Sequence, residues 1–222
     1  DEIVLNCKIV PQSIIDAPEG VLCNDEIEYN VIKYMNRRYL PMAKLVKGDK
    51  FPNFTVNTAF ENGLTIEKIV DGKPTMFMVL RYIGCTVCRY DVHMLTERYN
   101  EFVEKGVNVV VVMQSKPEIV QRDLAGGTLP FHLICDEAQE IYKTLEINAA
   151  ASMPELLGDA LPKLQEKGAK AAAAGFAHGD YEGIEEQLPA FFYVDADLTV
   201  KEAHYAKNIM DMPTVDDMLA KI

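Results

Sequence analysis

Residues Lys73–Val103 read KPTMFMVLRYIGCTVCRYDVHMLTERYNEFV, and their pattern decides the fold. The apolar run Met76–Leu80 is continuous rather than alternating, as in a strand covered on both faces. It stops at Gly84, and Cys85-Thr86-Val87-Cys88 follows at once, at the mouth of a long helical pattern. In that pattern Cys88, Val92, Leu95, Tyr99 and Phe102 fall at steps of four, three, four and three, so they share one apolar face. Cys85 lies about one turn before Cys88, at or just outside the helix N-terminus. Unpaired N–H groups and the positive end of the helix dipole stabilise a thiolate there. The functional reading therefore centres on two thiols able to close a reversible disulfide at a strand-to-helix turn. Helix position predicts an accessible Cys85 and a partly buried Cys88.

Working outward, the 222 residues are enough for one well-cored domain with embellishments or two small ones. Apolar, charged and aromatic contents are ordinary for a globular protein, which argues against bulk disorder. A formal charge of −12 disfavours a nucleic-acid backbone or an anionic membrane surface as main partner. No apolar stretch nears the ~20 residues of a membrane span. No signal-peptide pattern opens the chain, although it starts at Asp1 rather than Met, so a removed leader and a trimmed start both stay open. The five cysteines, Cys7, Cys23, Cys85, Cys88 and Cys135, form an odd, sparse set, unlike a secreted disulfide framework. That usage predicts a cytoplasmic protein with one redox-active pair.

Residues 1–46 precede the regular pattern and are expected to form an N-terminal arm packed on the body or on a second subunit. A helix capped by Asn24 or Asp25 would run through Ile32, Met35 and Tyr39. Cys7 and Cys23 suggest no motif and are expected to be inert. From residue 47 onward the elements alternate. A short strand follows Gly48-Asp49-Lys50-Phe51-Pro52-Asn53-Phe54, and the central strand and CxxC helix come next, closed by Lys105-Gly106. Val107–Met113, nearly all valine, suits a parallel strand covered on both faces. Ser115 before Pro117 predicts a capped helix that Gly126-Gly127 closes. Phe131–Cys135 predicts a strand, and Asp136 with Gln139 a capping-box-like helix start.

Residues 149–187 are less regular, with one helix expected over about 154–170, an alanine run and a glycine-rich loop, Gly175–Gly183. They read as an insertion over one side of the sheet, placed by topology to cover the thiols and restrict substrates. Pro189–Val194 and Thr199–Tyr205 predict an antiparallel hairpin, and Thr214 caps a last short helix. The order β–α–β–α, an extra strand and helix, an insertion and then β–β–α predicts a mixed sheet with helices on both faces.

This order, with CxxC after the first long strand and Leu188-Pro189 opening the late hairpin, resembles the thioredoxin fold. More narrowly it resembles the peroxiredoxin-like alkyl hydroperoxide reductase/thiol-specific antioxidant (AhpC/TSA) branch. GDKFPNFTV, LRYIGCTVCRYDVHML, LPFHLICDEAQEIYKTLEI and QLPAFFYVDADLTV carry the likeness. The resemblance implies an α/β thioredoxin-like domain over 47–222, of peroxiredoxin/glutathione-peroxidase type. It implies Cys85 as exposed nucleophile, Cys88 as resolving thiol, and a cis Pro189 facing the pair. It further implies a disulfide or hydroperoxide substrate, a thioredoxin- or glutathione-like electron donor, no bound cofactor and a plausible homodimer. The peroxiredoxin pattern P-x-x-x-[T/S]-x-x-C aligns differently. It would make Cys88 peroxidatic, with Arg81 in the proline position, Cys85 in the hydroxyl position, and Gln187, Leu188 or Pro189 where a second arginine is expected. Those departures weaken peroxidase chemistry and leave dithiol chemistry intact.

A zinc site would want four N or S ligands, and no second Cys pair or His-x₃₋₅-His exists. Arg81 is either an exposed strand-end charge or a cation that lowers a thiol pKa. Arg89 and His93 are expected on the surface, Tyr82 to line the site or simply pack, and Cys135 to be a buried free thiol rather than a third redox partner. His132, His178 and His204 have no partner at motif spacing. Gly126-Gly127 does not make a dinucleotide-binding turn. A redox-inactive binding protein that kept the fold is the alternative of a different class.

Overall fold

The computed structural model describes residues 44–222. All but the last three residues of the expected arm, with its helix and with Cys7 and Cys23, lie outside the described residues.

The described chain opens with β1 (Thr55–Val56) and β2 (Leu64–Thr65), a small antiparallel ladder leading into α1 (Ile66–Val70). β3 (Thr75–Val79) follows, buried at every position, as its unbroken apolar run requires. Next come α2 (Thr86–Glu97), α3 (Tyr99–Glu104), β4 (Asn108–Met113), α4 (Pro117–Asp123), β5 (His132–Cys135) and α5 (Glu140–Thr144). Residues 149–187, read from sequence as an insertion, contribute α6 (Met153–Leu157) and α7 (Leu161–Ala173). β6 (Ala190–Val194), β7 (Val200–Tyr205) and α8 (Val215–Leu219) complete the chain.

The sheet order is β5-β4-β3-β6-β7, with β3, β4 and β5 parallel and β6 and β7 antiparallel to their neighbours. This is the expected mixed α/β sheet, and β3 lies at its centre. Alternation along the strands sorts the core into two layers. Met76, Met78, Val109, Val111, Phe191 and Tyr193 face one way, into a cluster with Leu95, Phe102 and Met218. On the other face Phe77 stacks on Phe51 at 4.4 Å, and Phe51 meets Phe192 edge-on at 5.6 Å. Each such buried ring contributes roughly 2–3 kcal/mol of burial free energy. β3 is thereby clamped from both sides, which fixes where its C-terminal end delivers Gly84 and Cys85.

Several local expectations change in the folded chain. The helix after CxxC is two helices, interrupted at Arg98 (φ −112°, ψ 12°). Thr96 Oγ1 donates to Val92 O at 2.8 Å, the back-bond to the preceding turn that bends helices. The shared face survives the bend, with Cys88, Val92, Leu95 and Phe102 buried and Tyr99 half-buried. Ser115 does not cap α4; the N-cap is Lys116, without a side-chain bond, and Ser115 is used elsewhere. Asp136 does serve α5, accepting from Glu140 N and Ile141 N at 2.9 and 2.8 Å, but Gln139 is the N-cap residue and its side chain leaves for Gln114. The single helix expected over about 154–170 is α6 and α7, divided at Gly158 (φ +50°). Thr214 caps α8 in a full capping box with Asp217. Among the described residues no helix is long and apolar enough to cross a membrane.

Candidate active site

Cys85 is the N-cap residue of α2, with extended dihedrals (φ −71°, ψ 116°), and Cys88 lies in its first turn. One helical turn brings the two sulfurs to 2.9 Å, with the Cys88 thiol donating to Cys85 Sγ. Both are free thiols, and so is Cys135. A disulfide bond is about 2.05 Å long, so closing this one requires an approach of under an ångström. Arg81, at the end of β3, lays its Nη1 3.5 Å from Cys85 Sγ and its guanidinium carbon 5.1 Å from the Tyr82 ring centre.

These neighbours separate the two thiols electrostatically. The hydrogen bond from Cys88, the Arg81 charge and the backbone N–H of Cys88 together draw the Cys85 thiol down to about 6, against burial and the Asp91 carboxylate. Cys88 moves the other way: its bond to Cys85, its burial and the Cys85 charge push it well above the ordinary thiol range. The site therefore holds one thiolate and one thiol that donates to it.

Arg81 is not the exposed strand-end charge of the simpler reading, being only 5 % exposed. Gln114 N bonds Arg81 O at 2.9 Å, continuing the β3–β4 pairing past the strand ends and drawing the arginine into the interior. Its Nε is buried with no partner among the described residues. The expectation of an accessible Cys85 is also corrected: Cys85 and Cys88 are 3 % and 4 % exposed. The glycine-rich loop, from far along the chain, packs against the turn that carries them. Gly179 N bonds Gly84 O at 2.8 Å, so the loop backbone lies directly against the residue before Cys85. A Cβ on Gly84 would stand 2.0 Å from Asp180 O, which is why glycine is needed there.

The same loop accounts for Arg89 and His93, neither of which is a free surface residue. Arg89 pairs with Asp123 at 2.5 Å, donates to Ala177 O at 2.8 Å and lies over the Phe176 ring. His93 is half-buried, 5.2 Å from the same ring. Tyr82 is fully buried, with its hydroxyl 3.3 Å from His178 Nε2. His178 Nδ1 is 2.8 Å from Gly179 O, so Nδ1 carries the proton and Tyr82 donates to Nε2. Burial raises the Tyr82 hydroxyl pKa, keeping it a donor. His178, Ser115, Gln114 and Gly84 carry no functional assignment from sequence. Only the glycine directly before CxxC was a usable signal, since glycine often marks a close backbone approach.

Pro189 is buried at the start of β6, but its peptide bond is trans, as are all those of the described residues. The resemblance implied cis. Trans is the lower-energy isomer by about 0.5–1 kcal/mol, and the surrounding bonds accept it. Ala206 N bonds Pro189 O at 3.1 Å, and the Leu188 carbonyl accepts from Gln187 Nε2 at 3.0 Å, so that carbonyl is already engaged within the chain. Gln187 also donates to Ile147 O, tying together the two ends of the insertion. Cys135 is two strands from β3, and burial raises its thiol pKa to about 12. Among the described residues no group of three or more His, Cys, Asp or Glu side chains is gathered to hold a metal ion.

The model of the AhpC/TSA family matches residues 47–203, well over half of the chain. The chain belongs to the AhpC/TSA family. Solved structures with the same fold include a peroxiredoxin 6 of Arenicola marina, at 14 % identity and TM-score 0.56, over 79 % of this chain and 70 % of that one. A yeast mitochondrial 1-Cys peroxiredoxin is similar at 12 % identity and TM-score 0.55, over 79 % and 73 %. A thiol:disulfide interchange protein DsbE of Chlorobium tepidum is similar at 15 % identity and TM-score 0.51, over 80 % and 94 %. A comparison with curated protein sequences gives no match. The AhpC/TSA fold is thus shared both by peroxide-named and by disulfide-named proteins, so the choice of chemistry rests on the thiols of this chain.

Proposed function

We propose that the protein is a thiol-dependent oxidoreductase that cycles Cys85 and Cys88 between dithiol and disulfide. The observation that carries this reading is the 2.9 Å contact between the two free sulfurs, with a buried guanidinium against Cys85 Sγ. The Cys85 thiolate attacks one sulfur of a substrate disulfide RS–SR, forming Cys85–S–SR and expelling RS⁻. The charge that held the Cys88 proton is then gone, and Arg81 still lowers the Cys88 thiol pKa. Cys88 gives its proton to the departing thiolate and attacks Cys85 sulfur, so RSH leaves and the internal disulfide closes. Two electrons have passed from protein to substrate. With a hydroperoxide ROOH the same thiolate takes the terminal OH, giving Cys85–SOH and RO⁻, which takes a proton from water to leave as ROH, and the Cys88 thiol condenses with the sulfenic acid to release water. The unpartnered Arg81 Nε–H is a spare donor for an acceptor atom of either substrate.

Disulfide exchange is the preferred chemistry. The reading with Cys88 as peroxidatic residue asks the more strongly protonated of the two thiols to act first, and it lacks the hydroxyl that Cys85 replaces. An external thiol donor resets the pair. The yeast mitochondrial relative is described as resolved via glutathione/thioredoxin systems, and a donor of that kind suits a cytoplasmic setting. The test is titration of the purified protein in a dithiothreitol redox buffer, followed by mass. Loss of two hydrogens confined to a Cys85–Cys88 peptide, reversible at a defined potential, supports the reading. If both thiols stay reduced, or only Cys88 gains oxygen, it fails.

A further inference from the structure

The loop that packs against the CxxC turn is held along its whole length by contacts that differ in kind. At its start Phe176 and Ala177 engage Arg89. In its middle the backbone of Gly179 and Asp180 packs against Gly84, His178 accepts from Tyr82, and Asp180 pairs with Arg122. At its end Glu182 takes the Ser115 hydroxyl at 2.8 Å and Lys116 N at 2.9 Å. Immediately beyond, the Gln114 side-chain amide brackets Ile184, donating to its carbonyl at 2.7 Å and accepting from its N–H at 3.0 Å. Ser115 also accepts from Ile83 N at 2.8 Å, so the Glu182 anchor connects directly to the turn that carries the cysteines.

This arrangement bears on which substrates can react. A thiolate attacks a disulfide in line with the S–S bond, so a folded protein offering its disulfide must bring its own backbone alongside the nucleophile. That ground is the backbone flanking Cys85, where Gly84 O is already bonded to Gly179 N. The chain's own loop thus stands where a substrate polypeptide would have to lie. Resting on the dithiol reading above, we infer that residues 176–182 are a specificity lid which admits small-molecule oxidants to Cys85 and excludes the disulfides of folded proteins. Tyr82, Gly84 and Arg89 are its positioning residues on the catalytic side. They act through the lid, whereas Cys85 and Cys88 carry the electrons.

The experiment compares the full reduced chain with two variants. Gly84→Ala drives a methyl into Asp180 O, and the double variant Arg122→Ala/Glu182→Ala releases two anchors of the loop itself. Stopped-flow rates of disulfide formation are measured with hydrogen peroxide, glutathione disulfide and insulin, and loop opening by amide hydrogen exchange. The unaltered chain should react with glutathione disulfide at least about a hundredfold faster than with insulin. Both variants should raise the insulin rate by about tenfold or more, and the double variant should leave the peroxide rate within about twofold. Insulin reacting as fast as glutathione disulfide in the unaltered chain overturns the lid. So does an unchanged selectivity in both variants. If none of the three oxidants produces a Cys85–Cys88 disulfide, the dithiol reading itself fails, which is a separate outcome.

Discussion

The CxxC turn and the insertion over it are built in opposite ways. The turn is local: β3 ends, Gly84 allows a close approach, and α2 begins at Cys85, all within a few residues. Its reactivity also comes from nearby, since Arg81 and Cys88 are four and three residues from Cys85. The insertion has little local regularity between Gly175 and Gln187, and distant partners hold it. A reactive centre needs short, well-defined distances, which adjacent residues on rigid elements supply. A cover needs to be removable, and a loop held by several separate anchors can open without unfolding the sheet.

The two parts should therefore respond to different substitutions. Cys85→Ser removes the thiolate and should lower disulfide-reducing turnover by at least about 10³-fold. Cys88→Ser should keep the first attack and accumulate a mixed disulfide on Cys85, visible by mass. If Cys88→Ser alone prevented the first attack, the roles drawn for the two thiols would be reversed.

The second expected effect is on stability and tests how the insertion is joined to the core. Lys167 of α7 pairs with Asp91 of α2 at 2.6 Å, each side chain about a fifth exposed. Lys167→Met leaves the Asp91 carboxylate unpaired and should cost roughly 2 kcal/mol in urea unfolding, less than a fully buried pair because some water reaches both groups. Disulfide chemistry on small substrates should survive. A loss of activity larger than the loss of stability would mean that α7 helps set the geometry of the thiols.

Third, Arg81→Met should raise the Cys85 pKa and slow its alkylation by iodoacetamide about tenfold at pH 5, below both values, the change expected for one pK unit. In the unaltered reduced protein, alkylation should rise with pH to a plateau around a midpoint near 6. The stability consequence has a defined sign. A thiol with a folded pKa below its unfolded value stabilises the fold above the unfolded value, and this contribution is lost as pH falls through the folded one. Relative to Cys85→Ser, the reduced protein should lose stability as pH drops from about 9 to about 6. A difference that did not vary with pH would contradict a thiolate resting state.

The smallest effect lies remote from both regions. Thr214→Ala removes the α8 capping box and should cost about 1 kcal/mol, without altering thiol reactivity or loop exchange. It is the control that separates general loosening from effects on the turn or its cover.

Much of the framework was readable because it depends on short periods. Continuous apolar runs marked β3 and β4, the helical stripe marked α2 and α3, and Thr214 marked α8. Where reading failed, a residue had a distant competitor for its side chain. Ser115 looked like a cap but bonds Ile83 and Glu182, and Gln139 looked like half of a capping box but its amide reaches Gln114. Arg89 and His93 lie on the polar side of α2, yet Phe176 comes to rest on both.

The amino-acid sequence by itself determined the mixed sheet, the position of CxxC at a strand-to-helix junction and the late hairpin, because each is written in residues a few places apart. Tertiary structure decided the burial of both thiols, the inward course of Arg81, the trans bond at Pro189 and the placement of the loop on Gly84. The loop's contacts join residues 58 to 96 positions apart. No local propensity encodes where the chain returns, since that is set by how β3, α2 and the insertion pack together.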